Sequence, residues 1–115
     1  MVRKKVEEME FSQVYSALIQ KAEKKGRTLE EVQELTTWLT GYNNIEINDA
    51  LESEITYGEF FEKAPQMNPD KDKISGAICG VKIAEIQDPL RKSIRQLDKL
   101  IDELAKGKSI EKIIS

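Results

Sequence analysis

The stretch Asp88-Pro-Leu-Arg-Lys-Ser-Ile-Arg-Gln-Leu-Asp-Lys-Leu-Ile-Asp-Glu-Leu-Ala-Lys-Gly107 decides how the rest of the chain is read. Asp88 is a good N-cap, and Pro89 suits the first helical position, where its missing N–H is not needed. Leu90, Ile94, Leu97, Ile101 and Leu104 step by four, three, four and three, with Leu100 widening the seam. That is a helical period. Lys106-Gly107 supplies the stop: a cation at the negative helix end, then a residue free to turn left-handed. The longest helix is therefore expected near 89–106, with Asp102 and Lys106 as an i,i+4 ion pair. Its single apolar stripe needs other helices to cover it.

Working outward, Ser109 opens a last turn over Ile110–Ile114. Upstream, Val14, Tyr15, Leu18, Ile19 and Ala22 line one face of a helix from Ser12, as its cap, to about Lys25. Residues 1–11 read either as a helical face through Val2, Val6 and Met9 or as a frayed, extended arm. Thr28 with Glu31 is a capping box, opening a second helix with Leu29, Val32, Leu35, Trp38 and Leu39 inside and an end near Gly41. A short third helix is expected over Ile45–Ser53. Thr56 with Glu59 repeats the box and starts a fourth, carrying Phe60 and Phe61 and stopping at Pro65.

Asn68-Pro69 is another cap-plus-proline start, and Ile74, Ala77, Ile78 and Val81 fit a helical face. The reading favours a helix ending near Gly80; an extended Val81-Lys-Ile83 is the alternative. Together these segments predict an all-α fold, a compact single-domain bundle of five to six helices over residues 1–115.

Composition agrees with an ordinary globular domain. The chain has 115 residues, 39% of them hydrophobic, and 18 basic against 21 acidic groups; a chain of this size buries roughly two-thirds of its unfolded surface. One cysteine, Cys79, leaves no internal disulfide to form and points to a reducing, cytoplasmic setting. No apolar run approaches the ~20 residues of a membrane span, and the charged start lacks the apolar core of a signal peptide.

The chain holds no histidine, which excludes a His base in a Ser or Cys triad and the zinc-protease helix motif. Cys79 with carboxylates is a poor ligand set for zinc, so neither metal nor cofactor is expected. Gly107-Lys108-Ser109 resembles the end of a phosphate loop, but the glycine required five residues earlier is Asp102. Asp70-Lys-Asp72 begins like a calcium loop and then places Ile74, Ser75 and Val81 where an oxygen ligand, glycine and glutamate belong.

Residues 44–64 carry Glu46, Asp49, Glu52, Glu54, Glu59 and Glu62 against Lys63 alone. An acidic third helix cannot serve as a recognition helix against phosphates, so nucleic acid is not the expected partner. Trp38, Tyr42, Phe60 and Phe61 read first as a core cluster tying the second helix to the fourth, and second as a pocket wall. Arg95 and Asp98 read as a solvated face or as a pair lining a groove. A buried structural thiol is favoured for Cys79, since no base or cation adjoins it to lower its pKa. Trp38, Tyr42, Asn68, Cys79, Arg95 and Asp98 are thus the candidate groove, with no catalytic set among them. The 89–106 seam packs within its own domain or serves a homodimer.

Several blocks carry a resemblance: Lys25-Gly-Arg-Thr28, Trp38-Leu-Thr-Gly-Tyr42, Phe60-Phe61, Ala64-Pro65, Asn68-Pro69, Ile78-Cys-Gly80, Asp88-Pro-Leu90, and Arg95 leading into Leu97-Asp-Lys-Leu-Ile-Asp-Glu-Leu-Ala-Lys-Gly-Lys108. From about Phe11 to the C-terminus the chain is similar to the prokaryotic "domain of unknown function 2200" family. The resemblance implies a small stand-alone domain and carries over no reaction, ligand or catalytic residue. At Gly58 it leads one to expect a charged or larger side chain. The expected function is a non-catalytic protein-interaction or binding module; the alternative is a small-molecule-binding domain or minor enzyme using the groove.

Overall fold

The computed structural model describes residues 6–74, 76–78 and 80–114. Its α-helices are α1 (Phe11–Glu23), α2 (Leu29–Thr40), α3 (Asn44–Glu52), α4 (Tyr57–Glu62), α5 (Pro89–Ala105) and α6 (Ile110–Ile114). The all-α expectation holds. One antiparallel pairing, β1 (Ala77–Ile78) with β2 (Val81–Lys82), is too small to form a layer.

Three helix starts follow the sequence closely. Thr28, Asn43 and Thr56 each accept the N–H three residues on, while Glu31, Glu46 and Glu59 return the bond to the cap backbone. Asp88 accepts from Leu90 N–H and starts α5 as expected. α5 is the central strut, with α1, α2, α4 and α6 packed on it. Ile94, Leu97, Leu100, Ile101 and Leu104 are its buried face, and Asp102 pairs with Lys106 at 3.0 Å.

The start of α1 departs from the expectation. Ser12 lies inside the helix and does not cap it; Glu10 holds the cap position with no side-chain bond. The cause is tertiary. Phe11 N–H donates to the Ile55 carbonyl (2.9 Å), and Tyr57 N–H donates to the Met9 carbonyl (2.8 Å). This short antiparallel bridge, Glu10 opposite Thr56, satisfies an orphan donor of α1. Of the 1–11 arm, residues 1–5, Val2 among them, lie outside the described residues; Val6–Glu8 forms a 3-10 turn, followed by the extended bridge.

Gly58 is explained by the same arm. A Cβ there would sit 2.9 Å from the Glu7 carbonyl oxygen and 3.2 Å from Glu7 Cβ. The absence of a side chain lets the 3-10 turn cross α4 at close range. The helix survives its glycine while Tyr57, Phe60 and Phe61 are buried in the core.

The helix expected over 69–80 is not formed. Pro69–Lys73 makes a 3-10 turn only. Gly76 (φ 92°) and Gly80 (φ 80°) then adopt left-handed backbone, which a right-handed helix cannot contain. The chain folds instead into the β1–β2 hairpin. α4 also ends earlier than Pro65, at Glu62 with Lys63 as its C-cap.

The core is a ladder of aromatic rings. Tyr15 stacks on Phe11 (4.9 Å), Phe11 on Phe60 (4.0 Å) and Phe60 on Tyr42 (4.3 Å); Phe61 meets Phe60 and Tyr57 edge-on. Tyr42, Phe60 and Phe61 are members, as expected, while Trp38 packs half-buried against the same core without joining the ring ladder. Phe11, Tyr15 and Tyr57 complete the cluster.

Its hydroxyls are not equally served. Tyr15 Oη lies 2.8 Å from Thr36 Oγ1, and Thr36 spends its own proton on the Val32 carbonyl at 2.9 Å. Tyr15 is therefore the donor, and burial pushes its pKa up to about 12. Tyr42 donates to the Phe60 carbonyl (2.7 Å). The Tyr57 hydroxyl is buried with no partner, a desolvated group without compensation.

The end of α2 is capped by a distant segment. Gln66 N–H donates to the Thr40 carbonyl (3.1 Å), Asn68 N–H to Leu39 (2.9 Å) and Asn68 Nδ2 to Trp38 (3.0 Å). Asn68 Oδ1 meanwhile accepts from Asp70 N–H at 2.8 Å. Gly41 turns left-handed here, and a Cβ on it would lie 2.9 Å from the Gln66 carbonyl oxygen.

Two substitutions test these joints by urea unfolding. Asn68→Asp keeps the acceptor but replaces a donor with a carboxylate facing helix-end carbonyls; it should cost about 1–3 kcal/mol, and an unchanged midpoint would refute the capping role. Tyr57→Phe removes an unsatisfied hydroxyl; stability should hold or rise by up to about 1 kcal/mol, whereas a loss above that would reveal a bond at this oxygen.

Candidate functional site

Two clefts among the described residues stand out, one between α4 and the start of α5 and one between α2 and α6. The first lies where α4 ends, the 66–68 segment crosses to α2, and the chain re-enters at the start of α5. It encloses about 640 Å³. Phe61, Met67, Ile86, Pro89 and Leu90 give it apolar walls, and Ser93 and Gln96 project from successive turns of α5. Glu62 and Asp88 are matched in number by Lys71 and Lys92, so the formal charge of the lining cancels.

Gln96 is the unusual member. It is fully buried among apolar neighbours. Its Nε2 donates to the Lys71 carbonyl at 3.1 Å, which fixes the amide orientation, because only the nitrogen end can donate to a carbonyl. Its Oε1 is buried and has no partner among the described residues. The α5 N-terminus beside it is already served: Asp88 Oδ1 takes Leu90 N–H, the Asp88 carbonyl takes Lys92 N–H, and Pro89 has none to offer.

The second cleft, about 650 Å³, separates α2 from α6. Trp38, Ile110 and Ile114 line it beside the Arg27–Glu31 ion pair. The pair is a local i,i+4 contact that also serves the α2 capping box.

The residues expected to share a groove fall into two groups. Trp38, Tyr42 and Asn68 meet around the C-terminal end of α2, where Asn68 bonds the Trp38 carbonyl and Tyr42 is buried in the ring ladder. Arg95 and Asp98 pair at 3.5 Å on α5. Neither Tyr42, Asn68, Arg95 nor Asp98 lines the α4–α5 groove. Cys79 lies outside the described residues. Gln96 had been overlooked. Its signal was an amide four residues before Leu100, on the side of α5 that the apolar seam should own.

Asp98 is largely shielded, and burial raises its carboxyl pKa despite opposing pulls from Arg95 and Lys21. Lys99 bonds Glu103 at 2.8 Å, Lys108 also bonds Glu103, and these cations hold the Glu103 carboxyl below its usual value. Lys99 Nζ further reaches the Ala77 carbonyl at 3.5 Å and pins the hairpin to α5. Among the described residues, no three acidic or cysteine side chains gather closely enough to hold a metal ion. No helix among them is long and apolar enough to cross a membrane.

The family described as "Uncharacterized protein conserved in bacteria (DUF2200)" matches residues 5–115. The chain belongs to the DUF2200 family. None of the curated proteins matches it. The crystal structure of uncharacterized protein SP1917 is similar to it throughout, with a TM-score of 0.93 and 47% identity, covering 98% of this chain and 93% of that one. The family resemblance drawn from the sequence is thereby established. The DUF2200 fold is shared by that relative, and neither description assigns a reaction or ligand.

Asp98 offers a test by pH. A carboxyl whose folded pKa is raised favours folding below its unfolded value, near 3.9, and loses that contribution as pH rises through the folded value. Asp98→Asn should therefore raise the urea midpoint at pH 7 and leave it nearly unchanged at pH 3. A lower midpoint at pH 7 would show that the Arg95 and Lys21 attractions outweigh burial.

Proposed function

We propose that this chain is a non-catalytic binding module of the cytoplasm, with the groove between α4 and α5 as the seat of its ligand. The supporting observation is the groove itself: about 640 Å³, with apolar walls from Phe61, Met67, Ile86, Pro89 and Leu90 set among seven polar or charged side chains, one of them a fully buried glutamine. Concave, largely apolar sites with few placed polar groups are what small ligands use. Ser93 supplies a hydroxyl, and the chain has no histidine to deprotonate it. Binding without turnover fits that lining. The single cysteine and the lack of a membrane-crossing helix among the described residues support the cytoplasmic setting.

A second reading is a protein partner on α3. Ile45 is 72% exposed beside the exposed Glu46, Asp49 and Glu52. Two such acidic faces repel each other, so this surface suits a basic partner better than a second copy, and a homodimer would use another face. The same acidity weighs against nucleic acid.

The groove reading is tested by titrating the isotope-labelled protein with cocktails of neutral aromatic fragments and following amide resonances. Shifts should cluster on Met67, Leu90, Ser93 and Gln96. Shifts confined to α2–α6 or to α3, or no shifts at all, would overturn it.

A further inference from the structure

We infer that the α4–α5 groove selects an electrically neutral, apolar-bodied molecule bearing an amide-type N–H, and that Gln96 Oε1 is the acceptor that reads it. The inference rests on the groove being the ligand site. It draws on three properties of the lining.

The first is the amide. Gln96 is fully buried, its nitrogen end is committed to the Lys71 carbonyl, and its oxygen is buried without a partner. A buried acceptor left unpaired costs stability, and such groups in folded proteins call for a specific explanation. Gln96 belongs to the groove lining, but its Oε1 has no accessible surface, so a molecule seated there supplies the missing donor by parting the side chains that cover the amide. A carbonyl oxygen accepts and cannot donate, so the complementary group is an N–H or O–H, not a carboxylate.

The second is charge. Glu62 and Asp88 offset Lys71 and Lys92, so the lining carries no net formal charge to favour an ion of either sign. At the start of α5, the Leu90 and Lys92 N–H groups are already given to Asp88, so that helix end offers an incoming anion little. A free anion or cation would lose hydration on entering and gain little in exchange.

The third is the wall. Phe61, Met67 and Leu90 contribute an aromatic ring, a polarisable thioether and a branched aliphatic side chain to the lining. Sulfur and ring contacts of this kind favour a flat, polarisable body. An aromatic amide combines all three demands.

The test uses four matched probes: benzamide, N,N-dimethylbenzamide, benzoate and benzylammonium. Each is titrated into the intact protein and followed by amide shifts at Leu90, Ser93 and the Gln96 side chain. Benzamide should bind in the millimolar range, as expected for a ligand of its size. Loss of one hydrogen bond should weaken the dimethyl compound about fivefold to tenfold, and both ions should bind more weakly still. Gln96→Met should erase the benzamide preference while leaving its residual binding like that of the dimethyl compound. If Gln96→Met does not fold, the four probes on the wild type decide alone. All four binding the groove alike would overturn this inference and leave the groove reading standing. None of them shifting groove resonances would overturn both.

Discussion

Phe11 is the residue on which the packing depends. Its ring is fully buried between Tyr15 and Phe60, at centroid distances of 4.9 and 4.0 Å. Its backbone N–H bonds Ile55 just before α4 begins. One residue thus fixes where α1 starts, how α4 lies against it, and where the ring ladder runs. Stacked rings of this kind add about 0.5–1.5 kcal/mol per pair beyond the area they bury. The six-residue α4 is too short to persist alone. It is helical because its aromatic side chains are held on that ladder.

A second joint, at the end of α2, creates the groove. The carbonyls of Trp38, Leu39 and Thr40 have no partners within their helix, and the 66–68 segment satisfies all three. Holding that segment down forces the chain to leave α4 sharply and to approach α5 from the side. The space between the two becomes the cleft lined by Phe61, Met67 and Gln96. Asn68 belongs to this joint and shapes the cleft from behind; it is not part of the lining.

Charge plays a supporting role on α5. Lys21–Asp102–Lys106 and Lys99–Glu103–Lys108 run along its partly exposed flank. Such surface pairs are individually weak. Their value here is positional, since Lys99 holds the hairpin and Lys21 ties α1 to α5 across a long sequence separation. The acidic α3 stays outside this network, with Ile45 exposed among its carboxylates.

The sequence by itself determined the elements whose signals are local. Capping boxes at Thr28 and Thr56, the Asp88-Pro89 start and the four-three seam of α5 act over one or two helical turns, so they were legible and they hold. The all-α class followed from them, while the family rested on the resemblance of whole blocks such as Trp38-Leu-Thr-Gly-Tyr42. Only the tertiary structure decided what depends on residues far apart in the chain. The cap of α1 is a carbonyl contributed by Ile55, and Gly58 is explained by Glu7. The 69–80 stretch has a helical apolar pattern, overridden by two left-handed glycines and by the pull of Asn68 on α2. The groove was illegible for the same reason. Its walls come from the end of one helix, a crossing loop and the start of another, brought together by hydrogen bonds to backbone atoms, which no pattern of side chains encodes.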